Sequence, residues 1–430
     1  MAKRSRVPQV AVAAVALLLV AAGCGKGTAG NTTTTSGAPA STVPSTSSGG
    51  TSPAPSPGVT ATSITVGNVA TTGGIVPGLF LGAQVGVQAY FDYVNSTGGV
   101  DHRTLMVDDG DDQLQCALNE SATRALIPKV VAFVGSFSIW DSCGGKLIPS
   151  TMANVSDSLD PVITKLPNTY SPQPIQNGWG TGPLLWLKQH YPSGVDAVGA
   201  LVGNISTVLA SWKGEENALR TSGFKIADVE EYQVGQASFT ANVVRMMHDG
   251  VKIVLLDQAD VGAIADFLIA ANLQHFHPLV FFNSGSAYDG SFITKAGAAA
   301  SDIVVDLHEA LYLGPDASVP AVALFDHWIN VAHAGYTPDI YSVFGWASAA
   351  LFVQALRNAG SDPTQATVLA ALHSVTSFSA GGLIAPDNPA AKTPPDCFLV
   401  AHVVNGQWQQ ESPASGFTCS GTYIYDSALP

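Results

Sequence analysis

Ser63-Ile-Thr-Val-Gly-Asn-Val69 and Val130-Val-Ala-Phe-Val134, with two helical faces between them, decide how the chain is read. The first stretch is short, β-branched and apolar, which predicts a strand. Ala83, Val87, Tyr90, Phe91 and Val94 then recur at helical spacing until Gly98-Gly99 ends the pattern, so strand followed by helix is the opening unit. Leu105 to Val107 reads as a second strand, and Leu114, Ala117, Leu118, Ala122, Ala125 and Leu126 as a second amphipathic face. The second quoted stretch is apolar throughout, as a strand covered on both sides by helices should be.

Working outward, the alternation resumes downstream. Strands are expected at Ala197 to Val202, near Val229, at Lys252 to Leu256 and at Leu279 to Phe282. Helices lie between them, through Leu209 and Ala218, around Val243 and Met247, and along Ile264, Phe267, Leu268 and Ala271. Further helices are expected over 320–334, 341–358 and 363–374, and extended segments with a long loop from Leu383 to Trp408. Two βα series imply an α/β chain of two Rossmann-like lobes with parallel central sheets. Ligands in such sheets bind at the carboxyl ends of strands, so the cleft between lobes is the expected site.

The ends of the chain add a location. Lys3, Arg4 and Arg6 precede an apolar run from Val10 to Val20 and the small residues Ala21-Ala22-Gly23, the layout of a secretion signal over residues 1–23. The run is about 11 residues, and a membrane-spanning helix needs about 20. Ala22-Gly23-Cys24 resembles the lipobox of bacterial lipoproteins, with Ala21 where leucine is more usual. That resemblance implies acylation of Cys24 and anchorage to the outer face of the cell membrane. Residues 24–61 are almost wholly Gly, Ser, Thr, Ala and Pro and read as a disordered tether.

About 370 residues remain, more than one compact core usually holds. The formal charge of −14, more negative still without the basic leader, argues against a nucleic-acid partner. Cys116, Cys143, Cys397 and Cys419 are an even set in an exported chain, so two disulfides are expected. Three connectivities are possible; sequence proximity favours Cys116 with Cys143 and Cys397 with Cys419.

Ile64-Thr-Val-Gly-Asn68, Gly82-Ala83 opening a helix that ends Asn95-Ser-Thr-Gly-Gly-Val100, Asp108-Asp-Gly-Asp-Asp112 and Val130 to Ser136 follow in order. In that order they resemble the branched-chain amino-acid binding proteins of ABC importers, in the type I periplasmic-binding-protein superfamily. The resemblance runs over roughly residues 62 to 410. It implies three hinge crossovers, with 62–172 plus 284–378 in one lobe and 173–283 plus 379–430 in the other. It also makes Cys116 and Cys143 the family's first-lobe disulfide. In relatives the loop after the third strand holds the ligand's carboxylate through hydroxyls and backbone amides, which points to Ser136, Phe137 and Ser138. The next strand end suggests Asn154 and Ser156, and the second lobe offers Asn204, Asp257, Gln258 and Asn283. Where amino-acid binders often present an acid to the ligand's ammonium, this chain has Asn283.

Structural roles compete with these assignments. Ser136 and Ser138 are alternatively helix caps, Asn154 and Asn204 turn residues, and Asp257 with Asp260 a solvated helix start. Trp140 is better read as packing. Asp108, Asp109, Asp111 and Asp112 lack calcium-loop spacing and read as a solvated turn. Gly178, Gly180 and Gly182 lack the dinucleotide fingerprint and read as a hinge or turn. No nucleophile, zinc or cofactor motif assembles, so no catalytic residue, metal or cofactor is assigned. The resemblance implies an extracytoplasmic binding protein that captures a small polar ligand, closes over it, and passes it to a permease with its ATPase. A receptor module of the same fold acting on an envelope partner is the alternative, and an anchored hydrolase the remoter one.

Overall fold

The computed structural model of the protein describes residues 56–174, 178–314 and 319–425. The leader, Cys24 and the tether to residue 55 lie outside the described residues. The final tether residues are part of the fold: Val59 bridges antiparallel to Ile64, and Ser56 Oγ accepts from the Gln365 amide at 3.2 Å. Val59 is apolar and packs against the core, which composition alone did not signal.

The chain opens with β1 (Ser63–Ala70), α1 (Leu81–Ser96), β2 (Thr104–Asp111), α2 (Cys116–Leu126) and β3 (Ala132–Val134). Then come the short α3 (Asp141–Gly145), β4 (Ala153–Val155), the short α4 (Pro161–Thr164) and β5 (Thr169–Tyr170). These strands form a parallel sheet ordered β2-β1-β3-β4-β5. Next follow β6 (Gly178–Gly180), α5 (Gly182–His190), β7 (Val198–Gly203), α6 (Ser206–Thr221), β8 (Ile226–Tyr232), α7 (Thr240–His248), β9 (Ile253–Leu255), α8 (Val261–Leu273), β10 (Val280–Asn283), α9 (Phe292–Ala296) and β11 (Ile303–Leu307). Three helices, α10 (Pro320–Ala332), α11 (Ile340–Asn358) and α12 (Gln365–Leu372), precede β12 (Cys397–Val404), β13 (Gln407–Ser412), β14 (Thr418–Cys419) and β15 (Tyr423–Tyr425).

The larger sheet is ordered β13-β12-β11-β10-β9-β7-β8, parallel from β8 to β11 and antiparallel at β12 and β13. Its central strands are buried on both faces, which is why they read as continuous apolar runs. β1 lies between β2 and β3, and β7 between β8 and β9. Both sheets therefore reverse direction of growth at an inner strand, where crevices form outside the carboxyl ends.

β11 corrects the expected boundary at 284. Ile303-Val-Val-Asp-Leu307 pairs parallel with β10 and antiparallel with β12, because its apolar faces extend the larger sheet. The chain reaches the neighbourhood of the smaller sheet with α10 and α11, which pack on α1. There Gly86 and Gly345 let two backbones meet: a Cβ at Gly345 would stand 2.2 Å from the Ala83 carbonyl oxygen. Asp339 starts α11 as its N-cap, accepting from the Ser342 amide at 2.8 Å. Disulfides join Cys116 to Cys143, tying α2 to α3, and Cys397 to Cys419, tying β12 to β14.

The acidic run at 108–112 is likewise no solvated turn. Its first four residues belong to β2, and Asp112 is fully buried. Asp112 accepts from Thr71 Oγ1 at 2.6 Å, the Leu114 amide at 3.0 Å, Asn119 Nδ2 at 3.0 Å, and Ser138 Oγ.

Candidate functional site: an acidic, ring-lined cleft

A cleft of about 850 Å³ lies between the start of α11 and the carboxyl ends of β10 and β11. That volume falls within the roughly 300–1,000 Å³ of small-molecule sites. Ser284, Gly285 and Ser286 reach it directly after β10, and Asp306, His308 and Glu309 at the end of β11. Asp339, Tyr341 and Phe344 form the facing wall. The segment 178–183 and the turn at Ser420 to Tyr423 close another side, held together by Thr181 Oγ1 donating to the Thr422 carbonyl at 2.8 Å and by the pairing of β6 with β15. Gln173 Nε2 donates to the His308 carbonyl at 2.7 Å, linking the first crossover to the end of β11.

The electrostatics are one-sided. Asp306 is 3% exposed, and its Oδ1 has no hydrogen-bond partner. Burial first, then the charges of Asp257 and Glu309, hold its carboxyl well above the usual range. Burial pushes Glu309 up to about 7. Behind the cleft, Glu215 on α6 is fully buried and takes a hydrogen bond from Gln258 Nε2 at 2.7 Å. Burial, and next the Asp257 charge, raise Glu215 as well. Burial also keeps His308 neutral by lowering its pKa, while its Nδ1 bonds the Cys397 carbonyl at 2.8 Å.

None of the nine residues assigned from sequence lines this cleft. Ser136 Oγ accepts from the Val69 amide at 3.1 Å, and with Asn154 and Ser156 it borders a separate small cavity at the smaller sheet. Asn154 Oδ1 accepts from Ser156 Oγ at 3.1 Å. Ser138 serves Asp112 and accepts from the Trp140 amide at 2.9 Å. Phe137 stands behind the cleft wall, its ring 5.0 Å from Tyr341 and 5.7 Å from Phe344. Asn204 is exposed at the end of β7. Asp257 accepts from the Ser284 amide, so it and Gln258 act on the layer beneath the cleft. Asn283 is buried with its amide committed to the Leu256 carbonyl, Ser286 Oγ and the Ala287 amide.

Cleft-lining residues that the sequence reading did not single out include Asp306, Glu309 and the rings Tyr288, Tyr312, Tyr341 and Phe344. One signal was available: Asp306 is a lone acid inside the apolar run Ile303 to Leu307, and a charge in a buried strand is rarely retained without a role.

The sequence matches the model of the periplasmic binding protein family over residues 63–407. The chain belongs to that family of solute-binding proteins, which are binders and not enzymes. A comparison with curated proteins gives no match. Among solved structures, a branched chain amino acid ABC transporter protein from Thermus thermophilus with bound valine is similar at TM-score 0.67 and 18% identity, covering 84% of this chain and 97% of that one. A fatty acid ABC transporter substrate-binding protein from Thermomonospora curvata is similar at TM-score 0.66 and 18% identity, covering 85% and 95%. A further ABC transporter protein, from Silicibacter pomeroyi, has TM-score 0.67 and 13% identity over 83% and 99%. At these identities the likeness is one of fold. The family places the chain outside the cytoplasm, and no helix among the described residues is long and apolar enough to cross a membrane.

Proposed function

We propose that the chain is a lipid-anchored solute-binding protein that captures a small polar organic ligand in the cleft and hands it to an ABC permease and its ATPase. The observation that carries this reading is the cleft itself, whose walls come from elements packed on the smaller sheet and from strand ends of the larger one. The smaller sheet with α10 to α12 and the larger sheet with β12 and β13 act as two lobes. The chain passes between them three times, after β5, after β11 and before β12. A ligand touching both walls stabilises the closed arrangement, and the closed shape is what the permease recognises. Acylated Cys24 holds the exported protein at the membrane, with the Ser/Thr/Gly/Pro segment as its tether.

A thermal-shift panel of amines, amino acids, amides, carboxylates and sugars tests capture. A ligand at about 100 times its Kd adds roughly 2.7 kcal/mol. A saturable shift with the compound recovered unchanged supports the reading; recovery of a reaction product contradicts it. Mass spectrometry of the amino-terminal peptide from membranes tests the anchor, which requires acyl chains on Cys24 and none after Cys24→Ala.

A further inference from the structure

The cleft offers a ligand acids, rings and hydroxyls, and His308 there has its Nδ1 bonded to the Cys397 carbonyl. Among the described lining residues there is no Lys or Arg. Two of its carboxylates are already committed: Asp339 accepts from the Ser342 amide and from Tyr336 Oη at 2.7 Å, and Asp289 from the Ser291 amide at 2.8 Å. Asp306 is different: it is 3% exposed, its Oδ1 meets no donor, and Glu309, 7% exposed and hydrogen-bonded to the backbone at 308–309, acts on it electrostatically. A buried carboxyl ionises only at a cost unless a cation is paired with it, and a bound ammonium would supply that partner.

Rings stand beside this pair. Glu309 acts electrostatically on both Tyr288 and Tyr312, whose rings meet edge to face at 5.0 Å. Tyr341 and Phe344 line the opposite wall. Aromatic faces attract ammonium groups and accept an apolar body. Hydroxyls of Ser211, Ser284 and Ser286 also line the cleft, but no Lys or Arg stands among the described lining residues to balance a ligand carboxylate, which Asp306 and Glu309 would repel.

Resting on the solute-capture reading above, we infer that the ligand is an organic amine, its ammonium group paired with Asp306 and Glu309 and its apolar body held by Tyr288, Tyr312, Tyr341 and Phe344. Burial favours the protonated form of both carboxyls; on binding, one releases its proton and pairs as a carboxylate with the ammonium, while the other stays protonated.

The test is calorimetric titration of the full mature chain with compounds of one body and different heads: 2-phenylethylamine, 3-phenylpropanamide, 3-phenylpropanoate and phenylalanine. Butylamine and agmatine vary the amine's body, and leucine and glucose probe other solutes. The amine should bind about 10-fold or more tightly than its amide and carboxylate counterparts, and Asp306→Asn or Glu309→Gln should each weaken it about 10-fold or more. The comparison of heads needs no variant, so it stands even if one variant folds poorly. Tighter binding of the amide, carboxylate, amino acid or sugar overturns the amine assignment and leaves solute capture intact. Binding of none of the compounds overturns both.

Discussion

Two buried aspartates, Asp112 beside the smaller sheet and Asp306 in the larger one, show how one side chain is used in opposite ways. Asp112 is surrounded by four donors from three segments, 71, 114–119 and 138. It joins the loop after β1 to α2 and to the loop after β3, and it has nothing left to offer a ligand. Asp306 has an oxygen without a donor and other carboxyls as neighbours. Full satisfaction marks a structural acid, and an unmet acid at a cleft is the candidate for binding proposed above.

Breaking that comparison produces the largest expected effect. Asp112→Ala leaves buried donors unmatched and should cost about 3 to 5 kcal/mol in urea unfolding. Asp306→Asn should be nearly neutral, because burial already favours the uncharged carboxyl and its Oδ1 has no donor to lose. Equal losses in both variants would erase the distinction. Next in size, Cys397→Ser with Cys419→Ser opens a loop of 22 residues, worth about 3 kcal/mol in the chain-entropy model. Because that bridge fixes the adjacent residues Phe398 and Ser420, which line the cleft, ligand affinity should fall with stability, whereas opening Cys116–Cys143 should lower stability alone.

A smaller effect concerns pH. Burial pushes Asp157, Glu309 and Asp387 each up to about 7. Their folded-state values lie above the unfolded value near about 4, so the folded chain holds protons that the unfolded chain releases. Their stabilising contribution is complete below about pH 4 and is lost as pH rises towards about 7. Asp157→Asn should therefore flatten the decline of the urea midpoint over that window; an unchanged slope would remove Asp157 from the account. Smallest of all, Ser136→Ala deletes the acceptor for the Val69 amide. It should cost about 1 kcal/mol and leave ligand affinity unchanged.

The same contrast explains what the sequence disclosed. β1, α1, β7 and α8 were legible because their apolar residues repeat with the period of their own element. The helices at 320–332, 340–358 and 365–372 were legible for the same reason. β11 escaped because Asp306 interrupts its apolar run. Asp112 was misread because four acids in five residues look solvated until distant donors, Thr71 and Ser138, are brought to one of them. The pairing of Gly178–Gly180 with Tyr423–Tyr425 joins residues more than 240 positions apart, and no local pattern encodes it. The cleft was expected between two lobes; its walls come from the start of α11 and from the carboxyl ends of β10 and β11. Its lining comes from chain returns that periodicity does not report.

The most direct measurement is equilibrium dialysis of the mature protein against a small-molecule extract, followed by mass spectrometry of what the protein retains. The account predicts one unaltered cationic solute per chain, retained by the native protein and lost from Asp306→Asn. Retention of an anionic or neutral solute that is indifferent to Asp306, or release of a chemically altered product, would contradict it.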